Sequence, residues 1–217
     1  MTPSSAPIRP AVSVIPLRDG PGGLELFVQH RQTTMDFAAG AVVFPGGRVD
    51  PGDQALGEAL EFPETLLSEH VRGWQRIARA GTDPGDHART LVATGLRELE
   101  EETGMLAAPT DLLPWDHWVT PEGSPKRFAV AFFVLPVATG GPGGPVHLTS
   151  EATRSEWTCA SGLLAEQTTG RLLMLTPTRV MVEELVALGD VATVVARRPV
   201  ITGVQDDRPE GRPRPGR

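Results

Sequence analysis

The chain has 217 residues, 40% of them apolar and 22% charged, with a formal net charge of -7. That length supports one large domain with a proper core. The acidic balance argues against a nucleic-acid binder and against a protein held to an anionic membrane surface. The single cysteine, Cys159, allows neither an intrachain disulfide nor a cysteine-based zinc site, and reads as a small buried apolar residue. The opening MTPSSAPIRP has no charged region followed by an apolar core, as a signal peptide would. No apolar run approaches the roughly 20 residues of a membrane span. A cytoplasmic protein is expected.

Residues 1–10 read as a flexible lead. AVSVIPL (11–17) and LELFVQH (24–30) read as strands around a turn-forming RDGPGG, which predicts a hairpin. AVVF (41–44) is a third short strand and runs into the loop PGGRVDPGD. Over 63–80, Leu67, Val71, Trp74 and Ala78 recur at helical spacing. GTDPGD breaks that helix, and a second follows over about 88–103, with Leu91, Val92, Leu96 and Leu99 on its buried side and Gly104 at its C-terminal cap. FAVAFFVLPV (128–137) is apolar on both faces, as a central strand is. GGPGGP (140–145) is a loop and SEWTCA (155–160) a short strand. TPTRVMVEELVAL (176–188) starts a helix with Thr176 as N-cap and Pro177 in first position. From Gln205 the Arg-, Pro- and Gly-rich tail has no apolar face and reads as disordered; its arginines read as solvating charge. The element order predicts an α/β (α+β) fold, a mixed central sheet with helices on both faces.

GLRELEEETGM (95–105) carries the chemistry. Glu98, Glu101 and Glu102 stand at i, i+3 and i+4, so they share one helix face and repel one another. They also crowd a helix C-terminus, where the dipole disfavours anions. Divalent cations would offset both costs, and clustered carboxylates suit hard ions such as Mg²⁺ or Mn²⁺. A solvated charged face fits the segment alone equally well. FPGGRVDPGD (44–53) adds a double glycine that lets backbone approach a ligand.

Together the two segments resemble the box of the Nudix hydrolase superfamily, G-x5-E-x7-R-E-U-x-E-E-x-G-U, where U is aliphatic. Arg97, Glu98, Leu99, Glu101, Glu102, Gly104 and Met105 match its second half and Gly47 its opening glycine. Asp53 falls where the first glutamate belongs, one methylene short. Where the family has seven residues before the arginine, 43 stand between Asp53 and Arg97. The resemblance is therefore to a split-box branch, similar to the peroxisomal coenzyme A diphosphatase type. WVTPEGSPKRFAVAFFVLP (118–136), EATRSEW (151–157) and LTPTRVMVEEL (175–185) resemble further stretches of that branch. The likeness implies a Nudix-like α/β/α sandwich over residues 11–204, with a helical insertion at 54–90 inside the box that leaves the half-boxes adjacent.

The resemblance further implies a metal-dependent pyrophosphohydrolase cleaving the diphosphate of a nucleoside-diphosphate-linked small molecule, with Mg²⁺ or Mn²⁺. It assigns Glu98, Glu101, Glu102, Glu151 and the Gly46 carbonyl to the metal. Arg97 would orient the acidic cluster with Asp53 as partner, across a gap that the loop or a water must close. Glu98, then Glu151, is the candidate catalytic base. HRQTTMDFAAGAVVFPGG (30–47) partly resembles a coenzyme A motif, and Pro121 lies where ADP-ribose-cleaving members carry a proline. Coenzyme A or acyl-coenzyme A is the leading substrate; ADP-ribose, a nucleotide sugar or another such compound is the alternative, as is a catalytically silent binding module of the same fold. Arg31, Lys126 and Arg127 are candidate phosphate-binding residues. Trp115 and Trp118 read as packing or as a base-stacking surface. The five histidines show no metal-ligand spacing. No nucleic-acid or membrane partner is implied, and a homodimer stays open.

Overall fold

In the computed structural model, residues 6–34, 38–77, 81–139, 144–197, 199 and 201–205 are described. Strand β1 (Ile8–Gly20) buries side chains of both parities: Val12 and Val14 on one face, Ile15 and Leu17 on the other. A strand apolar on both faces must be covered on both, and the rest of the chain does this. Strand β2 (Gly23–Arg31) returns antiparallel, with Gly20 opposite Gly23 and a two-residue turn between them. Then come β3 (Ala41–Val43), β4 (Gly46–Arg48), α1 (Asp53–Ala59), α2 (Glu64–Trp74), α3 (Pro84–Thr103), β5 (Leu113–Val119), β6 (Arg127–Pro136) and β7 (Ala152–Cys159). The chain closes with α4 (Ala160–Thr168), β8 (Leu173–Met174), α5 (Thr176–Leu188), α6 (Val191–Ala196) and β9 (Val204–Gln205).

One sheet runs in the order β8-β3-β2-β1-β6-β5-β9, with β4 added on β1 and β7 on β2. The β1–β6, β3–β8 and β5–β9 pairs are parallel and the others antiparallel, so the sheet is mixed. One core, around Val12, Val14, Leu99 and Phe133, lies beneath α2 and α3. The second, around Ile15, Leu26, Met181 and Leu185, lies beneath α4, α5 and α6. This is the expected α/β/α sandwich. Among the described residues, no helix is long and apolar enough to cross a membrane.

Several boundaries differ from the sequence expectation. The sheet already includes Ile8, paired with Arg127. The stretch after Phe44, expected as plain loop, holds β4, which zips antiparallel onto Ala11–Ser13. Asp53 opens helix α1 rather than lying in a loop. That helix is short, has no side-chain N-cap bond and carries Gly57 inside. Gly57 is there because a Cβ would come within 2.8 Å of the Arg89 carbonyl, so α1 lies directly on α3. Helix α2 ends at Trp74, where Gly73 lies against Pro114; Ala78 lies outside the described residues. Asp83 caps α3, accepting from the N–H groups of Gly85 and Asp86. Helix α5 includes Thr176, with Leu175 at the cap position. Strand β7 starts at Ala152, earlier than expected. Cys159 is half-buried, its Sγ donating to the Gly22 carbonyl. Residues 1–5, 140–143 and 206–217, where most of the lead, loop and tail expectations fall, lie outside the described residues.

The core beneath α2 holds His70 at 1% exposure, with its ring edge-on to Phe62 and 5.9 Å from Phe133. Burial lowers its pKa to about 4. As pH falls below 6.5 the unfolded chain takes up this proton first, so the stability His70 allows is full above pH 6.5 and lost towards pH 4. The stability advantage of His70→Phe over the parent chain therefore grows by up to about 1.4 kcal/mol per pH unit across that window, as read by urea unfolding at pH 7, 6, 5 and 4.5. A pH-independent difference would refute the assignment.

Candidate active site

Helix α3 ends with its acidic turn against the β4 strand. Gly104 takes the left-handed conformation (φ +66°), and its N–H bonds to the Glu100 carbonyl. The extended segment at 146–148 satisfies the next orphan carbonyls: Val146 N–H donates to Thr103 and Leu148 N–H to Glu102. The end of the helix is thereby fixed from both sides.

Arg97 is the hub. Its Nε and Nη2 donate to Asp53 Oδ1 and Oδ2 at 2.8 and 3.0 Å, its Nη1 to Glu98 Oε1 and Glu101 Oε2 at 3.0 Å each, and its Nη2 to the Arg48 carbonyl at 3.1 Å. These contacts use all the donors a guanidinium has. Asp53, 1% exposed, also accepts from Asp50 N–H and Thr94 Oγ1, each at 2.8 Å. Burial pushes its carboxyl up, but the hydrogen bonds from Arg97, Asp50 and Thr94 outweigh it and hold the pKa below the usual carboxylate range. The aspartate reaches Arg97 directly, without a bridging water, because α1 carries it against α3. Asp53 contacts raise the already high pKa of Arg97 further.

The half-boxes meet at β4. A Cβ on Gly47 would overlap the Glu98 carboxylate, and one on Gly46 (φ +150°) would overlap the Val12 carbonyl. Gly46 N–H donates to Glu102 Oε2 at 2.9 Å, and Gln29 Nε2 donates to the same oxygen at 3.2 Å. Burial pushes the Glu102 pKa up to about 7, with the charges of Glu98 and Glu151 adding to it. Burial also raises Glu98, against the lowering effect of Arg97. Glu101 is largely exposed. Glu151 stands across the cleft, paired with Arg31 at 3.1 Å.

Among the described residues no three acidic, histidine or cysteine side chains form a ready-made cation cage, and Arg97 bridges Glu98 and Glu101 from one side. The donor chemistry nevertheless fits a hard divalent ion. A buried carboxylate, Glu102, and a partly buried one, Glu98, both with raised pKa values, face glycine backbone too close for any side chain, and a cation would relieve their desolvation.

An open cleft of about 960 Å³ runs past these residues, near the upper end of small-molecule sites. Arg9, Arg31, Arg48 and Lys126 line it, with Trp118 and Phe132 among its apolar wall residues. Trp118 Nε1 donates to Asp116 Oδ2 at 2.6 Å, and Trp115 is fully buried in packing. Arg127 is a correction. It is 4% exposed, its Nε bonds to the Thr120 carbonyl at 3.1 Å, and it is not among the residues lining the cleft. Sequence reasoning missed Thr94, Gln29, Arg9 and Arg48. Thr94 had a signal, since it lies three residues before Arg97 on one helix face.

A mixed sheet sandwiched by helices, with an arginine–carboxylate hub against a double-glycine strand, defines a Nudix-type fold. No protein-family model matches the chain. Among solved structures it is similar to a NUDIX hydrolase from Alicyclobacillus acidocaldarius, 25% identical over 90% of this chain and 98% of that one, TM-score 0.71. It shares its fold with the NUDIX domain of Shewanella oneidensis NrtR, solved with ADP ribose, at 11% identity and TM-score 0.50, covering 84% of this chain and 88% of that one. A curated relative named "Putative nudix hydrolase 7", from Caenorhabditis elegans, is 29% identical over 112 residues, which is 48% of this chain and only 37% of that protein's length. The chain thus has the Nudix fold and is similar in sequence to Nudix hydrolases over part of its length.

Proposed function

We propose that the chain is a metal-dependent pyrophosphohydrolase that cleaves the diphosphate of a nucleoside-diphosphate-linked small molecule, with coenzyme A or its thioesters as the leading substrate. The observation that carries this reading is the saturated Arg97 hub, which joins Asp53, Glu98 and Glu101 across 44 residues of sequence at the edge of a cleft lined by both basic and acidic side chains. A purely structural arginine would not need three carboxylates, two of them on its own crowded helix end.

Glu98, Glu101, Glu102 and the Gly46 carbonyl would hold Mg²⁺ or Mn²⁺, with Glu151 reaching from the facing loop. Bound there, the ion would neutralise the diphosphate and lower the pKa of a coordinated water. Arg97 fixes the Glu98 carboxylate at one oxygen and leaves the other to act. Burial raises the pKa of Glu98, which suits it to accept a proton from the attacking water; Glu151, half exposed and paired with Arg31, ranks second. Arg31 and Lys126 would receive substrate phosphates, and the cleft's size suits a ligand larger than a simple nucleotide. Displacement at phosphorus would give two phosphate-bearing products.

The test is a substrate panel with Mg²⁺ and Mn²⁺: coenzyme A, acyl-coenzyme A, ADP-ribose, NADH, nucleotide sugars and nucleoside triphosphates, with Glu102→Gln as the control. Metal-dependent release of two phosphorylated products, lost in Glu102→Gln, is expected. Tight binding without turnover of any panel member would indicate a silent binding module instead, and turnover of ADP-ribose alone would remove the coenzyme A assignment.

A further inference from the structure

We propose that Gln29 is a positioning residue that sets the cation affinity of the site by clamping Glu102; the inference rests on the metal-dependent reading above. Glu102 receives two hydrogen bonds, from Gly46 N–H and Gln29 Nε2, and both fall on Oε2. No described residue hydrogen-bonds Oε1. The carboxylate is thus tied down by one oxygen and presents the other.

The clamp is built from three separate elements. Gly46 N–H is fixed because β4 pairs with β1. Gln29 lies in the interior of β2, its backbone paired with Val43 on one side and Ser155 on the other, and it is 2% exposed. On α3 the Glu102 carbonyl is itself held by Leu148 N–H. The Gly46 N–H cannot follow if the carboxylate rotates, and the buried Gln29 side chain has little room to, so rotation costs hydrogen bonding inside a buried site. The chemistry of the amide fits the task. A lysine here would compete with the cation for Glu102, and a carboxylate would add a fourth like charge. An aliphatic side chain would leave a buried oxygen short of a donor. Glutamine supplies a donor and no charge. Groups that orient a ligand through hydrogen bonds typically change metal affinity or activity by about 10–100-fold when removed.

Gln29→Met keeps the side-chain volume and removes the donor. Gln29→Asn keeps the amide but withdraws it by one methylene, and carries the test if the first variant does not fold. Three quantities are measured on the full chain: Mn²⁺ Kd by electron paramagnetic resonance of free Mn²⁺, the Mg²⁺ dependence of turnover, and the melting temperature in metal-free buffer. The expected result is a Mn²⁺ Kd raised about 10–100-fold, a parallel shift in the Mg²⁺ half-saturation, and a much smaller change in kcat at saturating Mg²⁺. Unchanged Mn²⁺ affinity, or a kcat loss at unchanged affinity, overturns the role of Gln29. If the parent chain binds Mn²⁺ but turns over no substrate, the hydrolase reading fails while the Mn²⁺ titration still decides the clamp. If the parent chain binds no Mn²⁺, both fail.

Discussion

Asp53→Ala should lower turnover at saturating Mg²⁺ by on the order of 10²-fold and destabilise the chain by about 3 kcal/mol. The stability figure is the low end of the range for removing one partner of a buried ion pair, because Arg97 keeps Glu98 and Glu101. The rate figure is what a displaced catalytic group can cost. Without Asp53, Nε and part of Nη2 lose their acceptors, the guanidinium is free to swing, and the Glu98 oxygen it holds swings with it. Thr94 Oγ1 and Asp50 N–H lose an acceptor at the same time. Asp53→Glu is not a restoration of the family residue. The aspartate already makes the bidentate contact at 2.8 and 3.0 Å in a site where it is 1% exposed. One more methylene there forces α1 off α3, at a cost of about 1–3 kcal/mol. Chemical unfolding and steady-state turnover of both variants check this. Full activity in Asp53→Ala would mean that this half of the box has no functional role.

The acidic end of α3 was legible because its cause is local. The i, i+3, i+4 glutamates and the glycine after them constrain one helix end, and that end has the geometry their spacing requires. The alternating strands were legible for the same reason, since apolarity on both faces of β1 and β6 forces two covering layers. The readings that missed depend on what meets what across the sheet. Helix α1 is too short to stand alone despite good helix formers, and Gly57 lets it lie directly on α3. Gln29 looks like one polar residue in a strand; its partner lies 73 residues away. Arg127 reads as exposed charge, but it is buried and bonds back to the Thr120 carbonyl. Strand β4 has three residues, two of them glycine, and forms only because β1 offers it an edge.

Adjacent glycines with different constraints give the sharpest separation of function from fold. Gly46 sits at φ +150°, a conformation that side-chain-bearing residues rarely adopt, with the Val12 carbonyl where a Cβ would go. Gly46→Ala should therefore cost about 1–3 kcal/mol in backbone strain alone, and the β1–β4 pairing must open to relieve the overlap. Gly47 has no such backbone restriction. The three atoms nearest to a Cβ there all belong to the Glu98 carboxylate, the far end of a flexible side chain rather than backbone. Gly47→Ala should leave the metal-free melting temperature close to that of the parent chain, because Glu98 can turn away from the methyl group. Turning away breaks its contact with Arg97 Nη1 and removes it from the mouth of the cleft. Turnover should then fall by on the order of 10²-fold and Mn²⁺ affinity should fall with it. Thermal melts in metal-free buffer, a Mn²⁺ titration and turnover on the best panel substrate distinguish the two variants. Should Gly47→Ala retain full turnover, Glu98 would not be the group that works at phosphorus, and Glu151 would take its place.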